Sequence, residues 1–320
     1  MGLSGEMLKK TSIVAPGMEG LSSVQQRIRA LALERNAIIL AHNYQVPEVQ
    51  DIADIVGDSL VLSMKATEAK CSAIVFCGVD FMAESAKALN PEKKVIIPVP
   101  GARCPMAHMV DVESLRRFRE GHPGAPVVAY VNTTAEVKAE ADICCTSANA
   151  VKVVRSLQEK EVIFIPDSNL ALYVRSQVPE KMILPWAGYC HVHQGITVEQ
   201  VIALKRAHPK AKFMAHPECI PDVLAMADKV ASTEGMLRYA KEDPSDEFIV
   251  GTEEGLSYRL SKEVRGKRFH SIPEAICPNM KKTGLADVLR ALETMGPEVT
   301  LDPETIRRNR IPLERMLALG

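Results

Sequence analysis

Eight cysteines stand at positions 71, 77, 104, 144, 145, 190, 219 and 277, and three of them share a setting. Arg103-Cys104-Pro105, Tyr189-Cys190-His191 and Ile276-Cys277-Pro278 are loop-like segments whose cysteines stand 86 and 87 residues apart. Thiolates are soft ligands, and three of them suit a [4Fe–4S] cluster with one iron left without a protein ligand, whereas four close the cluster. An open iron is a Lewis acid. Zinc or copper would also accept three thiolates, and spacing does not decide between them. No C-x-x-C pair occurs, which argues against a zinc ribbon or a thioredoxin-like site. Cys71 and Cys77 lie in an apolar segment and read as reduced core thiols; Cys144, Cys145 and Cys219 fall off the shared position.

Hydroxyls and ring donors recur with the same spacing. His42, Tyr130 and His216 follow or end strand-like runs; Ser59, Ser147 and Thr233 stand at expected helix starts. Hydroxyls with adjacent helix N–H groups hold anionic oxygens, although N-capping alone explains such positions equally well.

A repeat must position these residues. Ala41, Ala129 and Ala215 stand 88 and 86 apart, as do Asp54, Asp142 and Asp228. The apolar runs Ala73–Cys77, Glu161–Ile165 and Glu247–Val250 each lead into a helical pattern, and each copy closes on its loop cysteine. Within the first copy, strands are expected at 37–41, 72–76 and 94–97. Helices are expected from Pro47 to about Val56, from an N-cap at Ser59 to about Lys70, and at 80–89. The third copy should carry helices at 221–227, 233–241 and 255–264. Thr197 to Gln200 reads as a capping box, and Asp302 as the cap of a last helix that Pro312 should end or kink. Short strands alternating with helices imply an α/β fold: three Rossmann-like αβα three-layer units with mainly parallel sheets around a pseudo-threefold axis. The expected division is 21–108, 109–194 and 195–300 for the three units, with 301–320 a C-terminal helical segment packing back on the core. Ligands bind beyond the carboxyl ends of parallel strands, so one central pocket would gather all nine repeat-equivalent residues.

The whole chain narrows the function classes. Its 320 residues, 47% apolar, support a substantial core, and its formal net charge of -1 lacks the basic excess of a nucleic-acid binder. No apolar run reaches membrane-spanning length, and the stretch 1–20 lacks the continuous apolar core of a secretory signal. The cytoplasm is the expected location, where cysteines stay reduced.

At these residues the chain resembles the quinolinate synthase family over nearly its whole length, from about Leu31 to Leu319. The resemblance is carried by Ala41-His42-Asn43-Tyr44-Gln45, Gly57-Asp58-Ser59, Arg103-Cys104-Pro105-Met106-Ala107 and Tyr130-Val131-Asn132-Thr133. It continues through Cys145 to Asn149, Trp186-x-Gly188-x-Cys190-x-x-His193, His216-Pro217-Glu218-Cys219, Ala231 to Met236 and Cys277-Pro278-Asn279-Met280-Lys281. It implies three αβα units, one [4Fe–4S] cluster per chain on Cys104, Cys190 and Cys277, and the condensation of iminoaspartate with dihydroxyacetone phosphate to quinolinate, phosphate and water in NAD biosynthesis. An aspartate-oxidising enzyme is the implied functional partner, since iminoaspartate is short-lived in water. Some members carry closely spaced cysteines near the C-terminus; this chain has none after Cys277.

With position and resemblance together, Glu218 is the candidate general base, a role expected to need a raised pKa. His42 and His216 are expected as charge-assisted donors to substrate carboxylates or phosphate. Tyr44, Tyr130 and Asn132 offer donors that orient substrate, with Tyr44 and His42 also placed in the catalytic set. Ser59, Ser147, Ser232 and Thr233 would anchor anionic oxygens. His193 reads either as support for the cluster or as a loop residue. Two other classes compete: an iron–sulfur or zinc sensor or electron carrier, and a different cluster-dependent hydro-lyase. A carrier would close all four irons and a sensor would carry a basic or DNA-reading surface, and neither feature is evident.

Overall fold

The structure, a computed structural model, describes residues 20–320. Apart from Gly20, the stretch read for a secretory signal lies outside the described residues. The first sheet contains β1 (Ala37–His42), β2 (Ile55–Gly57), β3 (Ala73–Cys77) and β4 (Lys94–Ile96). The second contains β5 (Val127–Tyr130), β6 (Ile143–Cys145), β7 (Glu161–Ile165) and β8 (Met182–Pro185). The third contains β9 (Lys212–Ala215), β10 (Lys229–Val230), β11 (Glu247–Gly251) and β12 (Arg268–Ser271). The pairings between these strands are all parallel, and the orders β2-β1-β3-β4, β6-β5-β7-β8 and β10-β9-β11-β12 repeat one topology three times. The expected α/β class with three parallel-sheet units is what the chain adopts.

The inner strands β1, β3, β5, β7, β9 and β11 are almost wholly buried. Helices cover both faces of such sheets, which is why these runs read as continuously apolar rather than alternating. Phe164, Phe213 and Phe248 are fully buried, each contributing about 1.5–3 kcal/mol by leaving water.

The repeated aspartates are structural. Asp54 Oδ2 accepts from the Ile39 N–H at 2.7 Å, Asp142 Oδ2 from Val127 at 2.8 Å and Asp228 Oδ2 from Phe213 at 2.9 Å. Their own N–H groups donate to the carbonyls of the same three residues. Each aspartate therefore ties the entry of an edge strand to the first strand of its unit.

That tie explains the corrected boundaries. The helix after Pro47 ends at Ile52, not near Val56, because Asp54 must reach Ile39 and residues 55–57 pair with Leu40 to His42. Likewise the helix at Pro221 stops at Leu224. Ser59 does not cap its helix. Asp58 does, its Oδ1 accepting from Val61 N–H at 2.9 Å, and Ser59 becomes the first helical residue. Ser147 lies in a turn before the helix Ala150–Ser156, whose N-cap is Asn149. The capping box at Thr197 and the Asp302 cap are present. Pro312 does not end the last helix, which runs Pro303–Leu319: Asn309, Pro312, Leu313 and Met316 are buried against the first two units, and that packing outweighs the missing N–H. Among the described residues no helix is long and apolar enough to cross a membrane.

Candidate active site

In each sheet the strand order reverses between the first and third strands of the unit, and the crevice beyond their carboxyl ends is where open α/β sheets bind ligands. Here the three crevices meet in one cavity. His42 ends β1, Tyr130 ends β5 and His216 follows β9, and all three line it. So do Tyr44, Ser59, Asn132, Ser147, Glu218 and Thr233. Ser232 does not: its hydroxyl caps the helix Thr233–Glu242, accepting from Gly235 N–H at 3.3 Å, and it faces a neighbouring cavity.

Cys104, Cys190 and Cys277 reach the same cavity from the three closing loops. They are half-buried, whereas the other five cysteines are buried and do not line it. Burial pushes the Cys104 thiol up to about 12 and raises Cys190 and Cys277 as well. Such thiols keep their protons until a soft cation displaces them. Three thiols, one per unit, line one cavity that no other cysteine lines, a donor set that fits a three-thiolate cluster.

Glu218 sits at the centre of the polar groups. Its Oε2 is 2.6 Å from His193 Nδ1 and 3.6 Å from His216 Nδ1. Oε1 is buried without a hydrogen-bond partner among the described residues, as is Asn132 Oδ1, so both are free to meet a ligand. Burial works to raise the Glu218 carboxyl, but the imidazoles of His193 and His216, helped by the Tyr130 hydroxyl, outweigh it and hold the group below the usual carboxylate range. The direction is the opposite of the raised pKa expected for a general base.

The two repeat-equivalent histidines share one arrangement. His42 Nδ1 accepts from Tyr44 N–H at 3.2 Å, and His216 Nδ1 from Glu218 N–H at 3.4 Å. An amide fixed on Nδ1 leaves the proton on Nε2, so each ring is a neutral Nε2–H donor; for His216 that nitrogen meets Ser147 Oγ at 3.1 Å. Burial lowers both pKa values to about 3. The expected charge-assisted donors are thus neutral ones in the free protein. Tyr44 and Tyr130 are pushed up by burial and stay protonated.

His193, read from sequence as support or loop, is buried and joins the site. Its Nε2 lies 2.8 Å from Thr252 Oγ1, which lies 2.6 Å from Tyr44 OH. A hydrogen-bonded path Tyr44–Thr252–His193 therefore ends beside Glu218. Thr252 was not identified from sequence, and no local pattern flags it. Asn43 Nδ2 donates to Thr233 Oγ1 at 2.7 Å and Arg259 Nη1 to Asn43 Oδ1 at 2.6 Å, fixing the hydroxyl that opens the third unit's helix against the first unit.

Among the described residues, two groups have potential metal-ligand atoms within reach of one another. Ligand atoms of Cys190, His193 and Glu218 lie within 4.8 Å of one another, as do those of His208, Glu247 and His270. In the second group the two imidazoles stack 3.6 Å apart at 15°. Lone pairs lie in the ring planes, so nearly parallel rings do not converge on one cation.

Residues 26–318 match the family described as quinolinate synthetase A protein. The chain is 55% identical over 295 residues to quinolinate synthase 1 of Methanosarcina acetivorans, covering 92% of this chain and 97% of that one. It is 54% identical to the quinolinate synthase of Methanoregula boonei (94% and 100% covered) and 50% to that of Alkaliphilus metalliredigens (91% and 97%).

Proposed function

The chain belongs to the quinolinate synthetase A family, and from that premise we propose that it condenses iminoaspartate with dihydroxyacetone phosphate, releasing phosphate and water, on a [4Fe–4S] cluster held by Cys104, Cys190 and Cys277. The observation that carries the reading is the convergence of one half-buried thiol from each unit on a cavity lined by anion-holding donors. Carbon, nitrogen and phosphorus balance without an oxidant or reductant, so the site needs only to bind, orient and move protons.

Bound there, the cluster would present one iron without a protein ligand, supplying a Lewis acid for a substrate oxygen or nitrogen. The chain's own groups do the rest. Neutral Nε2–H donors of His42 and His216, the hydroxyls of Ser59, Ser147 and Thr233, and the N–H groups opening the helices Ser59–Glu68 and Thr233–Glu242 bind carboxylate and phosphate oxygens. Asn132 orients the substrate through its free amide. Glu218, ionised and partly unpartnered, takes protons as the ring closes. Tyr44 gives a proton to a departing oxygen and recovers it along Thr252 and His193. The apolar wall of Val79, Phe81, Met82, Met106 and Met280 keeps water out.

The reading brings with it a reducing, cytoplasmic setting and an aspartate-oxidising enzyme as the source of iminoaspartate. A single metal ion on Cys190, His193 and Glu218 is a second reading, favoured by their mutual reach; it would occupy the base and leave Cys104 and Cys277 idle.

The test is quinolinate formation, without oxygen, by cluster-reconstituted protein given both substrates, with Cys190→Ser alongside. Product from the parent, none from the variant, and sulfide bound in step with iron support the reading. An intact cluster with no product overturns the reaction; metal without sulfide selects the mononuclear site.

A further inference from the structure

The backbone N–H of each cavity cysteine is held by a carboxylate. Cys104 N–H donates to Asp80 Oδ1 at 3.0 Å, Cys190 N–H to Asp167 Oδ2 at 3.2 Å and Cys277 N–H to Glu253 Oε1 at 3.1 Å. These acids stand 87 and 86 residues apart, and each lies just past the third strand of its unit, where the next helix begins. A second tie closes each loop. The N–H groups of Asp80, Ser168 and Glu254 donate to the carbonyls of Ala102, Gly188 and Ala275 at 2.9, 2.8 and 3.0 Å. Each of those carbonyls belongs to the residue two before its cysteine.

Helix capping is the ordinary explanation for an acid at a helix start, and each does serve its helix. Asp80 Oδ1 also takes Phe81 N–H at 2.9 Å, Asp167 Oδ1 takes Leu170 N–H at 2.7 Å, and Glu253 Oε2 takes Gly255 N–H at 2.8 Å. Yet their places in the helix differ. Asp80 is the first helical residue, Asp167 is the N-cap, and Glu253 precedes its N-cap Glu254. The side chain lengthens from Asp to Glu at the site farthest from the helix. What stays constant across three repeats is the cysteine N–H, not the cap position.

We infer that Asp80, Asp167 and Glu253 are positioning residues that set the three cysteine loops for the cluster; the inference rests on the cluster reading above. Partners of this kind, one layer behind the ligands, fix ligand orientation in metal sites. They also tune the group. A cysteine N–H committed to a side-chain carboxyl oxygen cannot donate to a cluster sulfur, which holds the cluster's reduction potential down. Glu253 is itself fixed by Lys281 Nζ at 2.9 Å, and Asp80 by His108 Nε2 at 2.9 Å.

The three sites differ in a way that sharpens the test. Asp167 and Glu253 commit a different oxygen to each of their two N–H partners, so an amide substitution must release one of them. Asp80 receives both N–H groups on Oδ1, so Asp80→Asn can keep both and lose only the charge and the second oxygen.

Parent, Asp80→Asn, Asp167→Asn, Glu253→Gln and the surface control Glu304→Gln would be reconstituted without oxygen. For each, iron release to a chelator, the electron paramagnetic resonance spectrum of the reduced cluster and its reduction potential would be measured, with thermal unfolding of the cluster-free chains beside them. Expected are a loss of iron retention of about 10–100-fold in Asp167→Asn and Glu253→Gln, a smaller loss in Asp80→Asn, altered spectra and more positive potentials. The control should match the parent. Variants that fold and match the parent in all three readouts would reduce the acids to helix caps and overturn the inference. Should Asp167→Asn fail to fold, Glu253→Gln reads the same contact in another loop. A parent that takes up no cluster overturns the site reading itself, and the clamp with it.

Discussion

Glu218 is one carboxylate among three imidazoles, and that neighbourhood decides what it can do. An ionised group accepts a proton but has none to give, so in the proposed reaction the acid step would fall to Tyr44, whose phenol burial keeps protonated. Replacing Glu218 by Gln keeps the shape and removes the base. The expected loss in kcat is about 10²–10⁴-fold, with iron and sulfide content unchanged; a variant that retained parental kcat would remove Glu218 from the chemistry. His42 and His216 carry a stability consequence of the same burial. Their folded pKa of about 3 lies below the ordinary 6.5, so as pH falls the unfolded chain binds protons that the folded chain refuses. Stability is full above pH 6.5 and is lost progressively from there toward about 3, at about 1.4 kcal/mol per pH unit for each ring. Between about pH 7 and pH 5 the cluster-free parent should lose more stability in denaturant unfolding than His42→Gln does; equal losses would mean that His42 is charged in the folded state. Which residues converge was legible in their repeat spacing. The charge states were not, because His193 approaches Glu218 only after the third unit folds beside the second.

The three repeated aspartates make one contact in three environments, which lets the element be separated from its surroundings. Asp54 is buried and pairs with the buried Arg29 at 2.6 Å, whereas Asp142 and Asp228 are about a third and a quarter exposed, at 32% and 27%, and pair with exposed Arg119 and Lys212. Alanine at any of them cuts the tie between the first strand and the edge strand, worth about 1 kcal/mol. At position 54 it also strands a buried guanidinium, bringing the expected cost to about 3–5 kcal/mol. Urea unfolding of Asp54→Ala, Asp142→Ala and Asp228→Ala should rank the first well above the other two, and equal costs would show that the strand tie alone sets the energy. The period announced these aspartates correctly, yet their purpose was hidden. A repeated acid five residues before a hydroxyl invites a chemical role, and only the strand N–H it meets shows that it holds the sheet. The same ambiguity misplaced the cap at Ser59, since Asp58 and Ser59 are both good caps and neighbouring residues compete for one helix start. Asp80, Asp167 and Glu253 kept the period as faithfully as the cysteines, and spacing alone would have found them had acids been sought.

At the scale of the molecule the three units are alike in topology and unlike in how they are held. One continuous apolar cluster runs through the first and second units, from Ile38 to Ile183, and takes in Leu313 and Met316 of the last helix. The third unit is built on two other clusters, one around Phe213 and Ile249 that takes in Val192 of the second unit, and the other around Phe248 and Leu260 with Tyr44 of the first unit packed against it. Its union with the first unit is largely polar: Asn43 to Thr233, Gln50 to the Gly255 carbonyl, Tyr258 to Asp51 and Tyr44 to Thr252. Hydrogen bonds that replace bonds to water contribute only about 1 kcal/mol each, whereas shared apolar burial is lost in full on separation. The third unit should therefore open locally at lower free energy than the other two. A cluster on Cys104, Cys190 and Cys277 has one ligand in a loop of each unit, so it binds only the closed arrangement and stabilises it by mass action. Hydrogen exchange of the cluster-free chain should show faster exchange in β9, β11 and the helix Gly255–Glu263 than in β3, β5 and β7. Reconstitution should then slow the third unit most. Uniform protection before and after loading would mean that the polar interface holds as firmly as the apolar one, and that the cluster joins units already locked together.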